Sequence, residues 1–189
     1  MSEVRLAELT TLRLGGPAAE LVTATTEAEL IAAVADADAA GVPVLLVGGG
    51  SNLVVADDGF AGRVVRIATT GITTDLDPDD PDAASCSGVM VTVAAGEPWD
   101  AFVERAVASG WIGIEALAGI PGSVGATPIQ NVGAYGQEVG RTIASVRVWD
   151  RAARSVRTLA AADCGFGYRH SRFKAEPDAQ VVQIGRAHV

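Results

Sequence analysis

The apolar positions of this chain fall in short blocks whose period changes repeatedly. Ala18, Glu20, Leu21 and Val22 read as a strand, and Thr26-Glu27-Ala28-Glu29 then matches a capping box, in which the hydroxyl and the later carboxylate satisfy the free amides of a helix start. Leu30, Ile31 and Val34 share one helical face, and Gly41 and Pro43 stop that helix before the buried strand Val44-Leu45-Leu46-Val47. Glycines follow at once, then Leu53-Val54-Val55, which predicts another strand, and Arg63 to Ile67, which predicts one more after an Asp-Gly turn. Val89 to Val93 restarts the strand pattern. Trp99, Phe102, Val103, Ala106 and Val107 fall at helical spacing before Gly110, so their aromatics read as core rather than as cofactor-stacking groups. Ser145 to Trp149 and Ser155 to Leu159 alternate with period two around Asp150 to Arg154, which describes a hairpin with one wet face. Strands and helices mix without strict βαβ alternation, so the expected class is α+β.

The apolar blocks suggest two subdomains, residues 1–70 and 71–183. Between Thr73 and Asp82, five aspartates and two prolines leave nothing to bury, and this stretch reads as a solvated loop rather than a metal site. Of the 189 residues 49% are hydrophobic, enough for a core, but no apolar run approaches the roughly 20 residues that cross a bilayer. No signal-peptide core follows Met1, so a cytoplasmic protein without a membrane partner is expected. A net charge of −9 argues against nucleic-acid partners, which require a basic face. The two cysteines, Cys86 and Cys164, are too few and too distant for a metal cluster or a disulfide framework.

The candidate chemistry lies in the glycines. Leu14-Gly15-Gly16-Pro17, Gly48 to Asn52 and Gly119 to Gly125 each expose bare backbone amides, which can approach a diphosphate closely, and Ser51, Asn52 and Ser123 add side-chain donors. No Lys-Ser or Lys-Thr follows the glycines, which excludes a P-loop, and Gly48 to Leu53 fails the last position of the dinucleotide fingerprint. A triple glycine alone could be a tight turn between strands. With a second amide-rich loop, then Gln130-Asn131 and Gly133-Ala134-Tyr135-Gly136, a large, anionic, partly planar ligand accounts for the pattern better.

Four motifs, Gly48 to Val55, Ala118 to Ala126, Pro128 to Gly136 and Cys164 to Arg169, stand in the order and spacing of the UDP-N-acetylenolpyruvoylglucosamine reductase family, which the chain resembles from Thr10 to about Val182. The Gln-Asn-Val-Gly-Ala-Tyr-Gly form is similar to the first of that family's two types. The resemblance implies an FAD-binding fold of the vanillyl-alcohol-oxidase type and noncovalent FAD. It places FAD on Gly48, Gly49, Gly50, Ser51 and Asn52 and on Gly119, Ile120, Gly122, Ser123 and Gly125. Gln130, Asn131, Gly133, Ala134 and Tyr135 would line the flavin side. No histidine or cysteine lies in either loop to tether the flavin. NADPH would be the reductant and a nucleotide sugar bearing an enolpyruvyl group the substrate. Arg169 matches the family's active-site arginine, whose planar fork binds the substrate carboxylate and stabilises the charge that develops beside it. Tyr168 is either a substrate contact or a buried tyrosine with a hydrogen bond, and the competing reading of Arg169 is a surface salt bridge. His170 replaces the acidic residue often found after that arginine.

In that family a serine and a glutamate of a later domain complete proton transfer, and the chain is expected to be a fragment without them. Residues 184–189, Ile-Gly-Arg-Ala-His-Val, are what ATC GGA AGA GCA CAC GTC encodes, a stretch resembling a sequencing-library adapter, and a non-native tail is expected there. Two other readings remain at this point: a stand-alone FAD-binding module, and an oxidase of the same superfamily.

Overall fold

The computed structural model describes residues 4–75 and 89–188, which are organised around two sheets. The first sheet grows from a β-α-β unit: β1 (Ala18–Ala24), α1 (Glu27–Ala40) and β2 (Val44–Val47). Strand β3 (Phe60–Ile67) lies between β1 and β2 and runs parallel to both. Helix α1 begins where the capping box predicts. The Thr26 hydroxyl accepts the Glu29 amide at 3.2 Å, while the Glu29 carboxylate accepts the amides of Thr25 at 2.8 Å and Thr26 at 3.2 Å. These bonds, led by that from the Thr25 amide, hold Glu29 below the ordinary carboxylate range. The helix ends on Gly41, whose φ of 67° is the left-handed conformation that glycine adopts without a Cβ clash.

Leu53-Val54-Val55 is not a strand. Leu53 and Val55 pack into a cluster with Leu6, Val47 and Val64 on the face of the first sheet, while Val54 is exposed. The alternation is real, but it marks a segment crossing a sheet face rather than pairing with its edge.

The second sheet is antiparallel and comprises β4 (Ile72–Thr74), β5 (Met90–Ala94), β8 (Ile143–Asp150), β9 (Ser155–Ala160) and β10 (Gln180–His188). Their order is β4-β5-β10-β8-β9. Two short strands, β6 (Gly133–Ala134) and β7 (Gln137–Glu138), form a separate hairpin. Thr73 and Thr74, expected in a loop, pair with β5 as part of the edge strand β4, where β-branched side chains are at home. Residues 76–82 of the expected loop, and Cys86, lie outside the described residues. Strand β10, expected to open at Gln180 to Gln183, continues through His188 and occupies the centre of the sheet. Residues 184–187 pair with both β5 and β8, and His188 with β5 alone, since main-chain hydrogen bonds make few demands on sequence.

Helix α2 (Trp99–Ala108) packs Trp99, Phe102, Val103 and Ala106 on this second sheet. Trp99 is 1% exposed and donates its indole N–H to the Leu117 carbonyl at 3.0 Å, which confirms it as core. The two sheets share a cluster in which Leu30, Ala33 and Val34 of α1 meet Val181 of β10 and Trp149 of β8. Two bidentate ion pairs reinforce the join, Arg147 with Glu27 and Arg151 with Asp38. Among the described residues no helix is long and apolar enough to cross a membrane, and no group of three or more His, Cys, Asp or Glu is placed to hold a metal ion.

Candidate functional site

A cavity of about 610 Å³ opens between the two sheets, within the size range of small-molecule and cofactor sites. One wall is β2 and the loop that leaves it, from Val44 to Leu53; the facing wall is the segment from Ile120 to Thr127. The loops touch. Ser51 Oγ donates to the Pro121 carbonyl at 3.1 Å, a Cβ on Gly49 would lie 2.9 Å from Gly122 Cα, and one on Gly48 would strike the Ser123 hydroxyl. Only bare backbone permits so close an approach.

Hydrogen bonding separates the two loops. Among the described residues, the N–H groups of Gly49, Gly50, Ser51 and Asn52 donate to no protein acceptor, and neither do those of Ile120, Gly122 and Ser123. Free amides grouped on the wall of a partly enclosed space can bind an anion. The second loop is otherwise firmly held. Gly119 N–H donates to Asp100 at 2.6 Å, Val124 N–H to Glu97 at 2.9 Å and Gly125 N–H to Ala95 at 2.8 Å, while the Gly122 carbonyl accepts from Trp99 at 3.0 Å. Gly119 and Gly125 therefore offer no free amide, contrary to expectation. Gly125 lines the cavity but is glycine for packing, since a Cβ there would lie 2.5 Å from that of Ala95.

Arg169 sits at the tip of a two-residue turn closed by reciprocal bonds, Gly167 N–H to His170 O at 3.1 Å and His170 N–H to Gly167 O at 3.0 Å. Its φ of 51° is costly for a residue with a side chain, so the surroundings must fix it. They do: Asn131 Nδ2 donates to Gly167 O at 2.9 Å, Ser171 Oγ to Ile129 O at 2.7 Å and Lys174 Nζ to Arg169 O at 3.1 Å. Arg169 lines the cavity, and among the described residues it has no ion pair. The buried alternative for Tyr168 fails, because that side chain is 87% exposed.

The cavity thus brings together Gly48 to Asn52, Ile120, Gly122, Ser123, Gly125, Gln130 and Arg169. Gly119, Asn131, Gly133, Ala134, Tyr135 and Tyr168 lie outside its wall. Asn131 is 2% exposed, and its amide group is occupied by Gly167 O, Glu138 and the Gly140 N–H, so it braces the Arg169 turn instead of facing a ligand. Gly133 and Ala134 form β6, and Tyr135, 94% exposed, sits in the turn between β6 and β7. The sequence reading missed Ala95, Thr127, Arg151 and Gln180 on the wall, and Ser171 behind it. Adjacent placement in the motifs could have signalled Thr127 and Ser171; nothing local marks Arg151 or Gln180. Cys164 is buried, and desolvation pushes its thiol up to about 11, so it offers no thiolate at neutral pH.

A family model described as FAD binding domain matches residues 18–159. UDP-N-acetylenolpyruvoylglucosamine reductase of Cutibacterium acnes is 58% identical over 180 residues, covering 95% of this chain and 46% of that protein. Among solved structures, UDP-N-acetylenolpyruvylglucosamine reductase from Thermus caldophilus superposes with a TM-score of 0.75 at 30% identity, covering 98% of this chain and 60% of that one. A solvent-stable cholesterol oxidase superposes with a TM-score of 0.58 at 15% identity over 93% of this chain and 35% of its own, which shows a shared fold only. The chain spans about half the length of the curated relatives it matches.

Proposed function

The chain belongs to the FAD binding domain family, and on that premise we propose that it is the flavin-binding part of a cytoplasmic UDP-N-acetylenolpyruvoylglucosamine reductase, an enzyme of peptidoglycan precursor synthesis, holding FAD noncovalently between its two sheets. The observation that carries this reading is the pair of touching glycine loops with free amides on the cavity wall. The amides of Gly49 to Asn52, with those of Gly122 and Ser123, would take the diphosphate, since preorganised backbone donors neutralise its charge without reorganisation. Gln130 and Arg169 would stand at the flavin end. We assign residues 1–70 and 71–183 as the two subdomains that form the bed.

When bound, the flavin supplies hydride chemistry, accepting from NADPH and reducing the enolpyruvyl group of the nucleotide sugar. Arg169 then has a definite task. Its fork would bind the substrate carboxylate in two places and stabilise the negative charge that develops next to it. The left-handed turn, braced by Asn131 and Lys174, holds the backbone under that fork in place. Because the chain spans about half of its relatives, the full reaction is proposed for a longer protein. The 189-residue chain alone is expected to bind FAD without measurable formation of UDP-N-acetylmuramate.

Titration of the purified chain with FAD, followed by flavin fluorescence and absorption, tests the core of this proposal. Saturable binding is expected. Gly49→Asp should abolish it, because even the added Cβ would lie 2.9 Å from Gly122 Cα and the carboxylate would meet the diphosphate. Binding that survives this substitution would put the cofactor elsewhere.

A further inference from the structure

The cavity extends beyond its glycine-walled part. It follows β2 from Gly48 back to Val44, and at a rise of about 3.3 Å per residue that is about 13 Å. Near Val44 the wall changes from bare backbone to the side chains of Arg151, Asp178 and Gln180. Arg151 Nε and Nη2 donate to the two carboxylate oxygens of Asp38 at 3.1 and 2.6 Å, and Nη1 donates to the Asp178 carbonyl at 3.0 Å. Asp38 belongs to the last turn of α1, just before the chain turns into β2, so this pair lies at the Val44 end.

A guanidinium carries five N–H groups in one plane. Three are engaged here and the Asp178 carboxylate lies 3.7 Å from Nη1, which fixes the plane and leaves two N–H groups of this cavity-lining residue without a hydrogen bond. At the other end, Arg169 is linked through Ser171 to Ile129, next to Gln130. A dinucleotide with its diphosphate at the glycines and its reacting ring beside Arg169 must place its nucleoside half toward Arg151.

We propose that Arg151, oriented by Asp38, is the specificity-determining residue for that nucleoside half, and that it selects a flavin dinucleotide over a mononucleotide. This rests on reading the cavity as a flavin-nucleotide site. Arg147 provides the internal control: it makes the same kind of bidentate pair with Glu27 on the same helix, at 2.8 and 3.1 Å, but does not line the cavity.

The test is titration of the 189-residue chain and its Arg151→Met, Arg151→Lys, Asp38→Asn and Arg147→Met variants with FAD, FMN and ADP, with circular dichroism to verify folding. Arg151→Met should weaken FAD and ADP by about 10- to 100-fold, the range for charge-assisted hydrogen bonds, and leave FMN unchanged. Arg151→Lys and Asp38→Asn should fall between, and they carry the test should Arg151→Met not fold. Arg147→Met should change none of the three. Equal losses for FAD and FMN, no loss, or a matching loss in Arg147→Met would overturn the inference while leaving FAD binding intact. Failure of the unaltered chain to bind any of the three would overturn the flavin-site reading and this inference with it.

Discussion

The two glycine loops meet across one cavity but are held in opposite ways. The loop from Gly48 to Asn52 follows directly from a β-α-β unit and is tied by few bonds, chiefly Gly50 O accepting from Thr11 and Ser51 donating to Pro121. The loop from Gly119 to Gly125 is joined to the start of α2 and the end of β5 by Asp100, Glu97, Ala95 and Trp99. A compliant set of donors therefore closes on a fixed one. Such a pair can adjust to a large anion while keeping its position relative to the rest of the site.

That contrast predicts different consequences of substitution on the two sides. The largest effect on stability is expected in the fixed loop. Gly125→Val would force a branched side chain onto Ala95, and overpacking of this kind costs about 1–3 kcal/mol, or roughly 3–10 °C in melting temperature for a domain of this size. Gly119→Ala is the paired control. Its φ is 76°, but there is open space around a Cβ, so the loss should stay near the cost of the left-handed conformation, about 1–2 kcal/mol. Equal melting temperatures for Gly125→Val and the unaltered chain would show that the second loop is as compliant as the first.

Ser51→Ala probes the compliant side. It removes the bond from one loop to the other, worth about 1 kcal/mol net and so about fivefold in FAD affinity, with little change in melting temperature. A large thermal shift without a change in affinity would reverse the roles assigned to the loops. The smallest effect concerns the helix that precedes the first loop. Glu29 is held below its ordinary pKa by the Thr25 and Thr26 amides, so its contribution is present above the unfolded value of 4.5 and is lost as pH falls through the lower folded value. The stability gap between the unaltered chain and Glu29→Ala, followed by thermal melts from pH 7 downward, should narrow below pH 4.5; a gap that widens in acid would break the argument.

Much of the first unit was legible because its signals are local. Thr26, Glu29 and Gly41 specify the ends of α1 through contacts within a few residues, and the four apolar residues before Gly48 mark β2. Leu53 to Val55 misled because alternation records which side chains are buried and not whether the backbone has a neighbour to pair with. Asn131 misled for a related reason. A polar residue inside a glycine-rich motif reads as a ligand contact, yet its partners are Glu138, Gly140 and Gly167, which lie seven, nine and thirty-six residues away.

By itself the sequence determined the two glycine loops, the arginine after Phe166-Gly167-Tyr168 and the class of ligand that bare amides can accept, since these depend on residue type and short-range conformation. Only the tertiary structure decided that the loops face each other, that β10 runs between β5 and β8, and that Arg151 reaches Asp38 across 113 residues of chain. These are long-range pairings, and their geometry follows from packing two sheets and one helix around shared clusters, which no local pattern encodes.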